Sequence, residues 1–171
     1  MVDTMVTGLK CLNCGHKFPE GQFFEGCKEC QTEKLRSNLT VTYNYERLKN
    51  IVTKELFASR RHDLWRYKEL LPVDSNFIVS MGEGGTPLIQ CFKMNISLNI
   101  YELYIKDESR NPTWSFKDRL ASVAISKACE FGVSTIVTSS TGNHGAATAA
   151  YAARAGLPCI VLTLESVPHS T

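Results

Sequence analysis

Cys11, Cys14, Cys27 and Cys30 make two Cys-x2-Cys pairs separated by twelve residues, and no other feature limits so sharply what the first part of this chain can become. Residues 1–36 are rich in Cys, Gly, Lys and Glu and poor in branched aliphatic side chains, so burial alone cannot hold them. Two close thiolate pairs on tight turns complete a tetrahedral all-sulfur site, and a structural Zn2+ supplies the folding free energy that the segment lacks. The spacing predicts a small zinc ribbon over residues 1–36, with these four cysteines as metal ligands. His16 is an alternative ligand that a complete four-sulfur set does not require. A ribbon often serves nucleic acid, but this segment sets Lys10, Lys17, Lys28, Lys34 and Arg36 against Asp3, Glu20, Glu25, Glu29 and Glu33. That balance leaves no phosphate-binding surplus.

Charge across the whole chain agrees. With 19 basic and 17 acidic residues in 171, the net charge is +2, so no global field marks nucleic acid or an anionic membrane as the partner. A small molecule is the expected partner. The N-terminus lacks a basic leader followed by an apolar core, and no apolar run reaches membrane-spanning length, which gives a cytoplasmic expectation with no membrane contact.

Residues 37–80 read as a connector. SNLTVTYNY alternates in the manner of a strand, and Leu48, Ile51, Val52, Leu56, Phe57, Leu64, Trp65 and Leu71 recur at helical spacing over 46–71, with Pro72 as the stop. From residue 81 the pattern becomes α/β. GEGGTPL is a loop by composition, and YELYIKDE is a short strand. Lys117–Phe131 is helical with Gly132 closing it, and 133–138 is a β-branched strand. SSTGNHG is a turn, Ala146–Ala155 an alanine-rich helix, and CIVLTL a buried strand. Strand, turn, helix and strand in that order predict a right-handed crossover and a parallel sheet with flanking helices.

Two turns carry chemistry. Ser115 and Asp118 spell a capping-box-like helix start, which puts Lys117 in a first turn where the positive end of the helix dipole disfavours an ammonium. An uncharged lysine is a nucleophile toward aldehydes, and a solvated surface lysine is the plainer alternative. SSTGNHG, at the carboxyl end of a strand, turns backbone N–H groups toward a crevice where anions bind; an ordinary helix cap is the plainer alternative there. GEGGTPL fits neither the phosphate-loop pattern nor the dinucleotide fingerprint. Cys91, Cys129 and Cys159 are isolated and read as small hydrophobes. Lys106 reads as a surface ion-pair member, and Arg119 as either an anion ligand or part of a helix surface.

Taken in order, GEGGTPL, KDESRNPTWSFKDR and SSTGNHGAATAAYAARAGLP, behind a four-cysteine ribbon, resemble the fold-type II pyridoxal-phosphate enzymes, most of all threonine synthase and its close relatives. The resemblance covers almost the whole chain. It implies pyridoxal 5'-phosphate as cofactor, with Lys117 as Schiff-base lysine and general base and Phe116 against the cofactor ring. It implies Asn143 on the cofactor's phenolic oxygen, and Ser140, Thr141 and His144 along the substrate carboxylate. The reaction implied is that of a lyase on a small amino acid, O-phosphohomoserine to threonine plus phosphate, in a homodimer when full length. Two positions depart from the pattern. Trp114 stands where the family usually has glycine, and His144 follows the asparagine as in threonine or serine dehydratases and diaminopropionate ammonia-lyases, which are the alternative reading. A non-catalytic zinc-ribbon binding module is a further alternative. Members of the family continue well past this length, with a glycine-rich phosphate loop and a Ser or Thr facing the pyridine nitrogen. Residues 81–171 are therefore expected to be the N-terminal part of an incomplete catalytic fold, and the chain a truncated form, weakly active or inactive.

Overall fold

Strand β1 (Val6–Cys11) runs between β2 (Lys17–Phe18) and β3 (Leu39–Tyr43), antiparallel to both. In the computed structural model, which describes residues 4–167, this sheet belongs to the first of two compact units. That unit comprises residues up to 60 together with 67–72, and the second comprises 61–66 together with 73 onward. Cys11 lies opposite Leu39, so the strand expected in the connector completes the sheet of the cysteine module. The module therefore extends past residue 36.

The single helix expected over 46–71 is three pieces: α1 (Tyr45–Ile51), α2 (Lys54–Ala58) and a 3-10 segment at Leu64–Leu70. Asn44 caps α1 by accepting from the Arg47 N–H, after which Val52 turns to an extended backbone. Thr53 then accepts from the Leu56 N–H and starts α2. A β-branched residue followed by a capping hydroxyl interrupts the helix even though the apolar spacing continues. The 3-10 segment departs from helical angles at Tyr67. Within the first unit, Arg60 pairs with Glu69 through two hydrogen bonds of 2.8 and 2.5 Å, and Phe57 meets Tyr67 edge-on at 4.8 Å.

In the second unit, β4 (Leu88–Gln90) pairs antiparallel with β5 (Tyr104–Lys106) around a short helix, α3 (Phe92–Leu98). Neither the antiparallel pair nor α3 belongs to the sequence expectation. Next come α4 (Lys117–Glu130), β6 (Ile136–Ser139), α5 (Asn143–Arg154) and β7 (Cys159–Leu162). β6 and β7 pair in parallel from Ile136↔Cys159 to Ser139↔Leu162, with α5 as the crossover. Parallel pairing among the described residues is confined to these two strands. The core is Ala121 and Ile125 of α4 against Ala147, Tyr151 and Ala152 of α5, flanked by Val79, Met81, Ile136, Cys129 and Cys159. Alanine at three of the five central positions lets the two helices approach closely. Among the described residues no helix is long and apolar enough to cross a membrane.

Candidate active site and cysteine centre

The four cysteine sulfurs all lie within 4.8 Å of one another. Cys11 and Cys30 are 3.6 Å apart and Cys14 and Cys27 3.7 Å, against about 3.8 Å for the edge of a tetrahedron with Zn–S bonds of about 2.3 Å. Cys11 ends β1, and its sulfur accepts from the backbone N–H groups of Asn13 and Cys14. The Cys27 N–H donates to the Ser37 carbonyl, which ties the second pair to the chain entering β3. The Ser37 hydroxyl and the Asn13 side-chain amide hold the Cys30 thiol down to about 6. The surrounding donors favour thiolates at Cys11 and Cys30, while Cys14 and, through burial, Cys27 are pushed up in the absence of a cation; the sulfur spacing suits one metal ion, and all four predicted ligands are brought together.

Lys117 is the first residue of α4, at the place expected of it. The cap differs from the expected box. The Ser115 hydroxyl accepts from the Lys117 N–H at 3.2 Å, and Asp118, fully buried, reaches back to Thr113, accepting from its N–H and its hydroxyl at 2.9 Å. The Asp118 side chain therefore anchors the approach to the helix instead of closing a box with Ser115, whose carbonyl accepts from the Asp118 N–H at 3.2 Å. Among the described residues the Lys117 amine has no carboxylate partner; it lies over the Phe116 ring, 4.3 Å from the centroid. Trp114 takes a left-handed backbone, φ 60°, with its side chain 82% exposed. A non-glycine residue pays roughly 1–2 kcal/mol for that conformation, and the position suits the glycine expected there.

The turn before α5 is organised by Ser140. Its hydroxyl oxygen accepts from the Gly145 N–H at 2.8 Å and from the Gly142 N–H at 3.3 Å, so it works within the turn as a helix cap would. Thr141 and Asn143 are exposed. His144 places Nε2 3.1 Å from the Thr138 hydroxyl, while its Nδ1 is buried without a hydrogen-bond partner among the described residues. No hydrogen bond joins the 140–144 group to Phe116 or Lys117 among the described residues.

Arg119 settles on neither of its sequence alternatives alone: it forms a two-pronged pair with Glu108, Nε and Nη2 each at 2.8 Å. Lys106 donates to the Thr86 carbonyl. The Arg119 guanidinium, helped by Thr86 and Asn111, outweighs partial burial and holds Glu108 down to about 2. A carboxyl depressed in the folded state contributes stability above its unfolded value, about 4.3, and loses it as pH falls toward the folded one. Urea melts at pH 5 and pH 2.5 should show about 1–2 kcal/mol of acid loss from this group, reduced by its partial exposure. Glu108→Gln should remove that share of the pH dependence; an unchanged difference between the two pH values would refute the assignment.

The sequence did not single out Glu83. Its carboxylate is fully buried, with Trp65 Nε1 at 2.8 Å and the Ser122 hydroxyl at 2.6 Å from one oxygen. The other oxygen accepts from the Tyr151 hydroxyl at 2.7 Å, the Met81 N–H at 3.0 Å and the Ser80 hydroxyl at 3.2 Å. Gly84 and Gly85 let the loop pass close to residues 62–64: both have positive φ, and a Cβ at Gly85 would stand 1.9 Å from the His62 carbonyl oxygen. A cavity of about 460 Å³ opens beside Arg61, Ser80, Met81, Gly82 and Arg154, none of them a predicted site residue.

Residues 79–171 match the pyridoxal-phosphate dependent enzyme family. The chain belongs to that family. Threonine synthase of Methanocaldococcus jannaschii is 43% identical over 157 residues, which is 91% of this chain and 37% of the relative. That of Methanosarcina acetivorans is 39% identical, over 90% of this chain and 36% of the relative. That of Halalkalibacterium halodurans is 48% identical over 103 residues, 60% of this chain and 29% of the relative. A solved pyridoxal 5'-phosphate-dependent aspartate racemase, 34% identical, gives a TM-score of 0.47 over 50% of this chain and 28% of its own. The chain thus spans little more than a third of the length of the threonine synthases it matches most fully. For a pyridoxal-phosphate-dependent enzyme the surroundings of Lys117 are compatible: among the described residues its half-buried amine has no carboxylate to displace before it could meet a carbonyl.

Proposed function

We propose that this chain is the N-terminal part of a threonine synthase-like enzyme that converts O-phosphohomoserine to threonine and phosphate, and that it is weakly active or inactive alone. The observation that carries this reading is the reach of the likeness. The match to the Methanocaldococcus jannaschii threonine synthase covers 157 residues, far more than residues 79–171 contain, so it extends well upstream of the family region toward the cysteine unit.

In this reading Lys117 would hold the cofactor through its amine and, once the substrate's amino group has displaced that amine, would take and return the proton at the substrate's α-carbon. The cofactor, when bound, supplies an electron sink for the charge left on that carbon. Phe116 presents its ring to the cofactor, and Asn143 presents its amide at the start of α5. Thr141 and His144 line the substrate carboxylate, while Ser140 keeps the turn in shape for them. The four cysteines hold a structural Zn2+, the metal that an all-thiolate tetrahedral set suits. The partner is a small amino acid, the site of action the cytoplasm, and the full-length assembly a homodimer.

Product analysis on a full-length version tests the reading. Threonine and phosphate should form from O-phosphohomoserine, and the 171-residue chain should form neither at a comparable rate. Ammonia from serine, threonine or diaminopropionate, with no turnover of O-phosphohomoserine, would instead make the protein a dehydratase or ammonia-lyase.

A further inference from the structure

The buried carboxylate of Glu83 takes no part in the chemistry assigned above, yet it joins the two helices that begin with the site residues. Ser122 stands five residues past Lys117 on α4, and Tyr151 eight residues past Asn143 on α5. At about 1.5 Å of rise per residue, Glu83 grips α4 about 7.5 Å and α5 about 12 Å from those two starts. Helices are stiff over such lengths, so fixing Ser122 and Tyr151 on one carboxylate fixes the spacing of Lys117 and Asn143.

Chemistry at Glu83 leaves little choice of residue. Hydrogen bonds from Trp65, Tyr151 and the Met81 N–H converge on its two oxygens, with the Ser122 and Ser80 hydroxyls, and no Lys, Arg or His is among these donors. An ionised carboxylate is acceptor-only and can receive them all; a glutamine would turn an NH2 group toward donors on whichever side it chose. Burying a carboxylate without a cation is costly, and apolar packing of the same volume would serve stability alone at least as well. Burial pushes the Glu83 carboxyl up, but the Ser122, Met81 and Tyr151 donors outweigh it and leave it below the ordinary range.

We propose that Glu83 is a positioning residue that sets Lys117 and Asn143 in mutual register for cofactor capture. The proposal rests on the reading of Lys117 as the cofactor lysine. The test compares wild type with Glu83→Gln and Tyr151→Phe, each incubated with pyridoxal phosphate, reduced with borohydride, and digested for mass spectrometry. Labelling at Lys117 is expressed relative to exposed Lys49 in the same sample, at a temperature where each variant remains folded by circular dichroism. The ratio should fall about tenfold or more in Glu83→Gln, given that a misplacement of about 1 Å at a reacting centre costs up to about a hundredfold. Tyr151→Phe, which keeps the carboxylate and removes one donor, should fall part of the way.

A purely structural Glu83 would lower the melting temperature and leave the ratio unchanged. Folded Glu83→Gln that labels Lys117 as wild type does overturns the proposal and leaves the reading of Lys117 standing. Wild type that shows no preference for Lys117 overturns both. Should Glu83→Gln fail to fold, Tyr151→Phe decides: a wild-type ratio there also overturns the proposal.

Discussion

Lys117→Ala should abolish covalent capture of pyridoxal phosphate at the start of α4 while leaving the fold intact. The side chain is half-buried, and its described contact is the Phe116 ring at 4.3 Å. Truncating it removes no buried ion pair, and alanine suits a helix. Melting should therefore shift by no more than about 0.5 kcal/mol, as for surface changes away from special features, while the borohydride-fixed label on the peptide containing residue 117 drops to background. Lys117→Arg sharpens the result, since it keeps the charge but cannot condense with an aldehyde at neutral pH. If wild type carried the label on other lysines and left residue 117 bare, the amine would lie elsewhere and the catalytic reading would fail.

Removing metal from the cysteine centre should unfold the first unit outright. The described buried hydrophobic side chains of that unit are Cys11, Cys27 and Leu48, and two of these three belong to the sulfur cluster. Little apolar burial remains to hold β1, β2 and β3 once the sulfurs lose their common ligand. Structural zinc in small domains binds with an apparent free energy of about 10–16 kcal/mol, as large as the whole stability of an ordinary domain. Metal analysis should find about one zinc per chain. Chelation, or Cys11→Ser, should release it and expose the amides of residues 6–43 to hydrogen exchange. Retention of metal and protection in Cys11→Ser would exclude the four-sulfur centre.

What could be read from the sequence was local. Two Cys-x2-Cys pairs fix their own turns, and the alternation from Lys117 onward fixes α4, β6, α5 and β7, because each signal lies within a few residues of its consequence. The long helix expected over 46–71 breaks because Thr53 offers its hydroxyl to a backbone N–H, a local contest that apolar spacing does not register. Helix α3 has exposed apolar side chains, Phe92, Met94, Ile96 and Leu98, and seven residues give too little periodicity to reveal it. Glu83 was illegible for a different reason. Its partners Trp65, Ser122 and Tyr151 lie 18, 39 and 68 residues away, and a glutamate in a glycine loop ordinarily reads as solvated. Only the folded chain shows a carboxylate sealed from water.

The two tryptophans of this chain occupy contrasting surroundings. Trp65 is buried, with its indole N–H held by Glu83 and Ser122, whereas Trp114 stands in solvent three residues ahead of Lys117. Their fluorescence therefore divides by wavelength, the sheltered indole emitting to the blue and the wetted one to the red. Iodide quenches the second and spares the first, so a molecule settling beside Lys117 announces itself in the red component without any dye attached.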